Sequence, residues 1–411
     1  MLGEIGYIMS SRGDSDPHSS ECKQPKPLEL TLLLAAVICC YCVLYGPQVL
    51  LNRWIERYAL NPSSASSLVY ATLIPMSVAP LSYGFFLGVS DTRKVTLWAM
   101  GTLALITLSL AFTDSYALIM TCRLAQGFTL PAILTAIMAR LSAAGPLHGP
   151  RLITYYLCAT VIGGLFGRLI TGYCADLIGL DMVWWIWSSV CAFIALGIAC
   201  FPSDHVPFNN HVVTRQALSQ AIMLPSVRAS LFCCALMFGG FAAALNLLPL
   251  RVEALGATEG NVGESAAVAH RYWGYLAGVV VALTTHRLDR ILGGRGRAPA
   301  MGLIVMAGAL FWGTLSLTYA PLSVMVLGLC IGLFITHPLL ISHLTQLNPA
   351  ERGLMSGMYV SSYYIGGASC SWWASLYMER VGWKITLITL ALMLIAASGV
   401  LWFALKKRGR H

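Results

Sequence analysis

Residues 28–51 read LELTLLLAAVICCYCVLYGPQVLL, and Glu29 is the one charged residue among them. A helix needs about 20 consecutive apolar residues to cross the hydrocarbon core of a bilayer, so this stretch is long enough to span a membrane. A second stretch, RASLFCCALMFGGFAAALNLLPLRV at 228–252, has the same apolar character and also carries a proline near its end. The two stretches predict a fold built from membrane-spanning helices.

The composition of the whole chain agrees with this prediction. Of its 411 residues, 57% are hydrophobic and 10% are charged, whereas a typical soluble domain carries about 25% charged residues. So little charge excludes a soluble enzyme, a disordered chain and a nucleic-acid-binding module. No nucleic-acid partner is expected, although the formal net charge is +9.

Apolar segments recur along the chain and predict an all-α membrane protein with twelve transmembrane helices. The predicted spans are about 28–51, 66–90, 95–113, 116–142, 151–175, 182–201, 228–252, 265–286, 299–318, 321–346, 353–377 and 383–405. The predicted domains are a disordered tail at 1–27, six-helix bundles at 28–201 and 228–405, a linker at 202–227 and a basic tail at 406–411.

The two bundles are predicted to be pseudo-symmetric, because landmarks repeat at a steady distance. Pro47 and Pro249 lie 202 residues apart, and the triplet Ile-Gly-Gly at 162–164 returns 203 residues later at 365–367. Six-helix repeats of this kind are typical of transporters that bind substrate between the repeats near the middle of the membrane.

The distribution of Lys and Arg predicts the orientation. With a cytoplasmic amino terminus, 18 of the 26 Lys and Arg lie on the cytoplasmic side and six on the outer side. The positive-inside rule then places both termini in the cytoplasm of a multi-pass protein of the cell inner (plasma) membrane. Some of the basic residues are expected to contact membrane lipids.

Two arginines, Arg123 and Arg168, lie inside predicted spans. A charged side chain inside a bilayer is costly unless it is paired or hydrated, so each is a candidate functional residue. For Arg123, the alternatives are a structural donor to carbonyls or Gln126 and a part in substrate binding or proton coupling. For Arg168, they are an anionic-substrate or coupling role and a bond to backbone near the glycines.

No Asp or Glu lies in the middle of a predicted span, so the deepest titratable group is His337. Imidazole titrates in the physiological range, and His337 is either a proton carrier or a hydrogen-bonding cavity residue. Glu29, at the rim of the first span, is the alternative coupling carboxylate. A cavity with buried cations and no buried anion favours an anionic or polar organic substrate, which Asn246 and four tyrosines would also contact: Tyr41, Tyr45, Tyr363 and Tyr364.

Several motifs resemble the major facilitator superfamily over residues 28–405. Arg123-Leu-Ala-Gln-Gly127 resembles the family's fourth-helix R-x-x-x-G motif. The fifth predicted span is similar to the Gly-rich antiporter motif, in a form close to YnfM-like exporters, through Gly163, Gly164, Gly167 and Arg168. The family's loop motif G-x-x-x-D-R-x-G-R-R is degraded here to Gly84, Asp91, Arg93 and Lys94. The resemblance implies gating roles for Gly163, Gly164, Gly167, Arg93 and Lys94.

The resemblance implies a secondary-active exporter of a small polar or anionic organic compound, such as a siderophore-like metabolite or a drug. The chain lacks the G-x-x-x-x-G-K-[ST] motif of ATP-driven proteins, so a proton gradient is the expected energy source. The alternative is an importer of an anionic metabolite by symport. A membrane-embedded enzyme or a sensor is disfavoured, and we expect a monomer that needs no cofactor or metal.

Overall fold

The computed structural model describes residues 24–86, 91–200, 215–256, 264–291, 297–348 and 352–406. These residues form α-helices joined by short turns and 3₁₀ segments, and no β-strand occurs among them. The helices are α1 (Pro27–Tyr45), α2 (Leu51–Tyr58), α3 (Pro62–Tyr70), α4 (Leu73–Phe86), α5 (Thr92–Ser109), α6 (Tyr116–Ser142), α7 (Gly145–Ile178), α8 (Leu180–Cys200), α9 (Arg215–Met223), α10 (Pro225–Ala254), α11 (Glu264–His270), α12 (Tyr275–Ile291), α13 (Arg297–Gly313), α14 (Tyr319–Leu347) and α15 (Arg352–Lys406).

Eight helical segments among the described residues are long and apolar enough to cross a membrane. This confirms an all-helical protein with several spans, whereas the predicted number of twelve stays a prediction. The shortfall has local causes. The predicted span 66–90 is divided between α3 and α4, and the predicted span 265–286 between α11 and α12. The predicted span 299–318 corresponds to α13, which is apolar but only 17 residues long. The last two predicted spans lie within α15, which bends at Gly382, where φ is 81°.

The polar connections of the chain are only partly described. Most of the tail predicted at 1–27 and the last five residues of the basic tail lie outside the described residues. The linker predicted at 202–227 contains a helix, since α9 occupies Arg215–Met223 and α10 begins at Pro225. We call residues 24–200 the amino half and residues 215–406 the carboxy half.

Three of the prolines that interrupt helical hydrogen bonding free a carbonyl to which a side chain from another part of the chain donates. Proline has no N–H, so the carbonyl four residues before it lacks its helical donor. The replacement donors are Arg123 Nη1 to Val43 O (3.2 Å, before Pro47), Tyr272 Oη to Leu245 O (3.1 Å, before Pro249) and Thr285 Oγ1 to Phe334 O (3.1 Å, before Pro338). The breaks therefore fix neighbouring helices to one another.

Glycines on α7 allow it to approach α1 closely. A Cβ on Gly163 would lie 2.5 Å from Ile38 O and 2.8 Å from Tyr41 Cβ, and a Cβ on Gly167 would overlap the backbone of Cys42. Gly164 points elsewhere, because its nearest neighbour would be Arg168 Nη1 at 3.5 Å. Small residues at such contacts let two helix backbones pack together in a membrane.

We expect Gly163→Ala to lower the melting temperature of the purified protein, because its methyl group must push α1 away. Overpacking of this kind costs about 1–3 kcal/mol. Gly164→Ala is the matched control, since it adds the same methyl group to the same helix without a clash. Thermal unfolding in detergent measures both variants. Equal melting temperatures would show that the close α1–α7 contact does not contribute to stability.

Candidate functional site

A small cavity lies between the amino half and the carboxy half. Its volume is about 10 Å³, on the order of the space that one water molecule needs. The polar side chains that line it are Gln48, Arg168, Asn246 and Ser371, and the aromatic ones are Tyr45, Tyr70, Phe238 and Phe241. None of the described lining residues is acidic. The cavity wall thus combines one fixed positive charge with neutral polar groups and apolar surface.

Arg168 is fully buried on α7 and reaches both halves of the protein. Its Nε and Nη2 donate to the same atom, Gln48 Oε1, at 2.8 and 2.5 Å, and Nη1 donates to the carbonyl of Gly164. Gln48 lies in the 3₁₀ segment Gly46–Leu50, which follows the end of α1 beside Pro47. The break at Pro47 therefore positions the hydrogen-bond partner of the buried cation.

Three tyrosine rings surround the Arg168 guanidinium. Its central carbon lies 4.6 Å from the ring centres of Tyr45 and Tyr272 and 4.8 Å from that of Tyr275. Ring faces attract cations at distances below about 6 Å. Tyr45 belongs to the amino half, whereas the other two belong to the carboxy half. The rings stabilise the charge without neutralising it.

Asn246 and Ser371 bring unused hydrogen-bonding groups to the cavity from the carboxy half. Asn246 is 1% exposed, and neither its Oδ1 nor its Nδ2 has a partner among the described residues. The Ser371 hydroxyl is likewise buried without a partner there. A buried polar group without a hydrogen bond costs about 1–3 kcal/mol. Such groups mark a place where a ligand would supply the missing bonds.

Of the four tyrosines in the predicted site, Tyr45 lines the cavity and the other three lie near it. The ring of Tyr41 is 5.9 Å from that of Tyr45, and Tyr363 stacks on the lining residue Phe238 at 3.6 Å. The ring of Tyr364 is nearly perpendicular to that of Phe238, with 5.9 Å between the ring centres. These tyrosines form the layer directly behind the cavity wall.

His337 does not line the cavity. It lies behind Tyr363, on the side away from the cavity wall. Its Nδ1 is 2.7 Å from the hydroxyl of Tyr359, and its ring centre is 5.2 Å from that of Tyr363. The path from His337 to the cavity therefore runs through Tyr363 and Phe238.

Arg123 is fully buried within the amino half, where it connects three helices. It donates to the carbonyls of Val43 and Leu44 at 3.2 Å and of Leu68 at 2.9 Å. A fourth bond runs to Gln126 Oε1 at 2.7 Å. The first two carbonyls lie at the break beside Pro47 and the third at the break between α3 and α4. These are the hydrogen bonds that the first alternative for Arg123 requires, whereas a part in substrate binding or proton coupling stays a prediction.

Glu29, Arg93 and Lys94 lie away from the cavity, near the start of α1. Glu29 forms an ion pair with Arg140 at 2.8 Å. Arg93 donates to the carbonyls of Ile198 and Ala199 at the end of α8, and Lys94 is exposed. In the structure, Glu29 and Arg93 therefore connect helices within the amino half.

At the opposite end, hydrogen bonds join the two halves. The Asp176 carboxylate accepts from Arg53 at 2.9 Å and, across the interface, from the backbone N–H of Ala266 at 2.8 Å. Ser63 N–H donates to Glu379 Oε1 at 2.8 Å, and Asn52 Nδ2 to Pro249 O at 3.2 Å. The two halves are therefore held together at the end where α2 and α7 finish.

Seven polar or aromatic residues that line the cavity or surround Arg168 are missing from the predicted site: Gln48, Tyr70, Phe238, Phe241, Tyr272, Tyr275 and Ser371. Gln48 had a usable signal, because it is a polar residue next to a proline within an apolar stretch. Tyr272 and Tyr275 lie three residues apart and so share a helix face. Their contact with Arg168 depends on how α7 packs against the 3₁₀ segment Arg271–Gly274 and the start of α12, which a local pattern does not reveal.

Comparisons with known proteins agree with the fold. Residues 33–370 match the Major Facilitator Superfamily. An uncharacterised MFS-type transporter of Bacillus subtilis, YybF, is 22% identical over 377 residues, which is 89% of each chain. Among solved structures, the human organic anion transporter MFSD10 superposes with a TM-score of 0.67 at 15% identity, covering 92% of this chain and 100% of the other. A POT family transporter solved with a conjugated peptide gives a TM-score of 0.74 at 12% identity, covering 92% and 96%.

Proposed function

Because the chain belongs to the Major Facilitator Superfamily, and is thus a membrane transporter rather than an enzyme, we propose that it exports a small polar or anionic organic compound. One observation carries the substrate class: the fully buried Arg168 lines a cavity between the halves that contains no acidic side chain among its described residues. A cationic substrate would be repelled there, whereas an anion would neutralise the guanidinium.

The proposed architecture is the twelve-helix arrangement of two six-helix bundles, with the cavity between them. Transport follows from alternating access, in which the bundles rock about a central site. With both termini in the cytoplasm, the hydrogen bonds around Asp176 lie on the outer side and hold that side closed. The outward-open state then requires their rupture. The protein would act as a monomer in the inner (plasma) membrane, in contact with lipids.

The export direction rests on the Gly-rich motif of α7, which resembles that of YnfM-like exporters. A siderophore-like carboxylate is one compound class that fits the cavity charge. Symport of an anionic metabolite into the cell is the second candidate, because a bound anion and a proton attract one another and would be carried together. The direction is therefore the first property to measure.

Mass-spectrometric profiling of a strain that lacks the gene tests the export proposal. We expect one or a few organic acids to accumulate inside the cells and to return to normal when the gene is restored. A fall of such compounds inside the cells would instead support import. Unchanged profiles for organic acids, together with accumulation of a cationic compound, would contradict the proposed substrate class.

The charge distribution predicts that residues 202–227 lie in the cytoplasm. Fluorescent-protein and alkaline-phosphatase fusions placed within this segment and at the carboxy terminus measure its location. We expect fluorescence and no phosphatase activity at both positions. Phosphatase activity at the segment would overturn the orientation and the assignment of the Asp176 end to the outer side.

We propose His337 as the residue that carries the coupled proton if an anion and a proton move together, or if the exported compound is neutral or zwitterionic. For export of an anion in exchange for protons, the coupling residue would be the rim carboxylate Glu29. His337→Gln is then expected to lower the number of protons moved per substrate molecule, because glutamine can hydrogen-bond to Tyr359 but cannot titrate. A pH-sensitive dye in reconstituted vesicles measures this ratio, with Glu29→Gln measured in parallel. An unchanged ratio in His337→Gln would exclude His337, and a reduced ratio in Glu29→Gln would assign the role to Glu29.

A further inference from the structure

We propose that Gln48 occupies the position of a substrate carboxylate on Arg168, and that the transported compound is a monocarboxylate that displaces Gln48. This inference rests on the proposed function, since it assigns the chemistry of the same cavity. It adds the ionic group of the substrate and the residue that competes with it.

The first argument is the geometry of the Arg168–Gln48 pair. Gln48 Oε1 accepts from Nε at 2.8 Å and from Nη2 at 2.5 Å. The edge formed by these two nitrogens is one along which arginine binds carboxylates with two parallel hydrogen bonds. A single amide oxygen satisfies both donors but supplies no negative charge. A carboxylate would use the same edge with one oxygen for each nitrogen.

The second argument is the balance of charge around Arg168. Its described partners are the Gln48 amide, the Gly164 carbonyl and three tyrosine rings, all of them neutral. A buried charge without a counter-ion is costly. One bound carboxylate would supply the missing counter-ion. A second carboxylate would have no cation among the described lining residues, and this favours a monoanion.

The third argument concerns the far wall of the cavity. Asn246 and Ser371 are buried there, and their side-chain polar atoms have no partners among the described residues. Phe238, Phe241 and Leu245 provide the apolar surface beside them. These groups fit a substrate with an apolar body and one polar group at a distance from its carboxylate. Such a molecule would contact Arg168 in the amino half and Asn246 in the carboxy half.

The cavity volume explains why displacement is needed. With Gln48 on Arg168, only about 10 Å³ is available, so the arrangement in this structure is closed to an organic molecule. Removal of the Gln48 side chain from the guanidinium would both open space and expose the donor edge. Gln48 and the substrate therefore compete for the same two N–H groups.

Substitutions at Gln48 test this competition in both directions. Gln48→Glu provides Arg168 with a permanent carboxylate, and we expect it to weaken binding of monocarboxylates by about tenfold or more while the melting temperature stays equal or rises. Gln48→Met removes the competing acceptor at similar size, and we expect tighter binding than in the wild type. Gln126→Glu is the matched control, because it places the same charge beside the other buried arginine, outside the cavity.

Binding to the full-length protein in nanodiscs would be measured by calorimetry with benzoate, hydrocinnamate and octanoate, each compared with its amide. We expect the wild type to prefer the acids and Gln48→Met to strengthen that preference. The inference is overturned if the amides bind as well as the acids, if no acid binds to either the wild type or Gln48→Met, or if Gln48→Glu binds acids like the wild type. Transport of a cellular metabolite by the wild type, retained in Gln48→Glu, would leave the proposed function intact and remove this inference alone.

Discussion

Replacement of Arg168 by glutamine is expected to abolish transport while the protein remains folded. The variant keeps a side chain that can hydrogen-bond to Gln48 and to the Gly164 carbonyl, but it removes the only positive charge among the described residues that line the cavity. Loss of one partner of a buried, hydrogen-bonded charge pair costs about 2–5 kcal/mol, equivalent to roughly 30-fold or more in affinity. Transport of the cellular substrate by reconstituted vesicles measures the loss.

Arg168→Lys separates the contribution of the positive charge from that of the planar guanidinium group. Lysine keeps the positive charge but cannot form the two parallel bonds that guanidinium forms with a carboxylate. We expect partial transport from this variant, between the wild type and Arg168→Gln. Near-normal transport by both variants, with normal yield and melting temperature, would make Arg168 a structural residue.

The second large effect is expected at Arg123, where substitution should impair folding rather than transport. Arg123→Gln should greatly reduce the amount of folded protein, because the carbonyls of Val43, Leu44 and Leu68 would lose the donors that replace missing helical bonds. Each buried acceptor left without a partner costs about 1–3 kcal/mol, against a typical total stability of about 5–15 kcal/mol. Yield after size-exclusion chromatography and the melting temperature measure the effect.

Each of the two arginine variants serves as the experimental control for the other. Both are completely buried, but the hydrogen-bond partners of Arg123 among the described residues belong to the amino half, whereas Arg168 is surrounded by tyrosines from both halves. Removal of Arg123 should therefore affect folding and removal of Arg168 should affect transport. Normal yield and stability of Arg123→Gln, combined with loss of transport, would instead place Arg123 in the transport machinery.

The helical fold could be predicted because apolar length is a local property of the sequence. Apolar length alone does not show where a proline divides a span into two helices. Pro75 lies in the first turn of α4, where its missing N–H is tolerated, so the predicted span 66–90 begins as two separate helices. The mean hydropathy does not reveal this break. At Gly382 the structure instead breaks α15 at the boundary between the predicted spans 353–377 and 383–405.

The candidate site was predictable in part, for a related reason. A buried arginine is visible in a sequence because the surrounding residues are apolar, and this identified Arg123 and Arg168. Their partners lie on other helices: Gln48 is 120 residues from Arg168, and Tyr272 belongs to the carboxy half. No local pattern states which side chain meets which across such distances. The freed carbonyls beside Pro47, Pro249 and Pro338 could be anticipated, but not the donors that bind them.

The most direct test of the central claim is a competition among cellular metabolites for the purified protein. Vesicles that contain wild-type protein, Arg168→Gln or no protein are incubated with a total metabolite extract under a proton gradient, and their contents are identified by mass spectrometry. The account predicts that the compounds accumulated by the wild type are organic monocarboxylates and that Arg168→Gln accumulates none of them above the empty vesicles. Accumulation of cationic compounds by the wild type, or an equal set of compounds in Arg168→Gln, would contradict it.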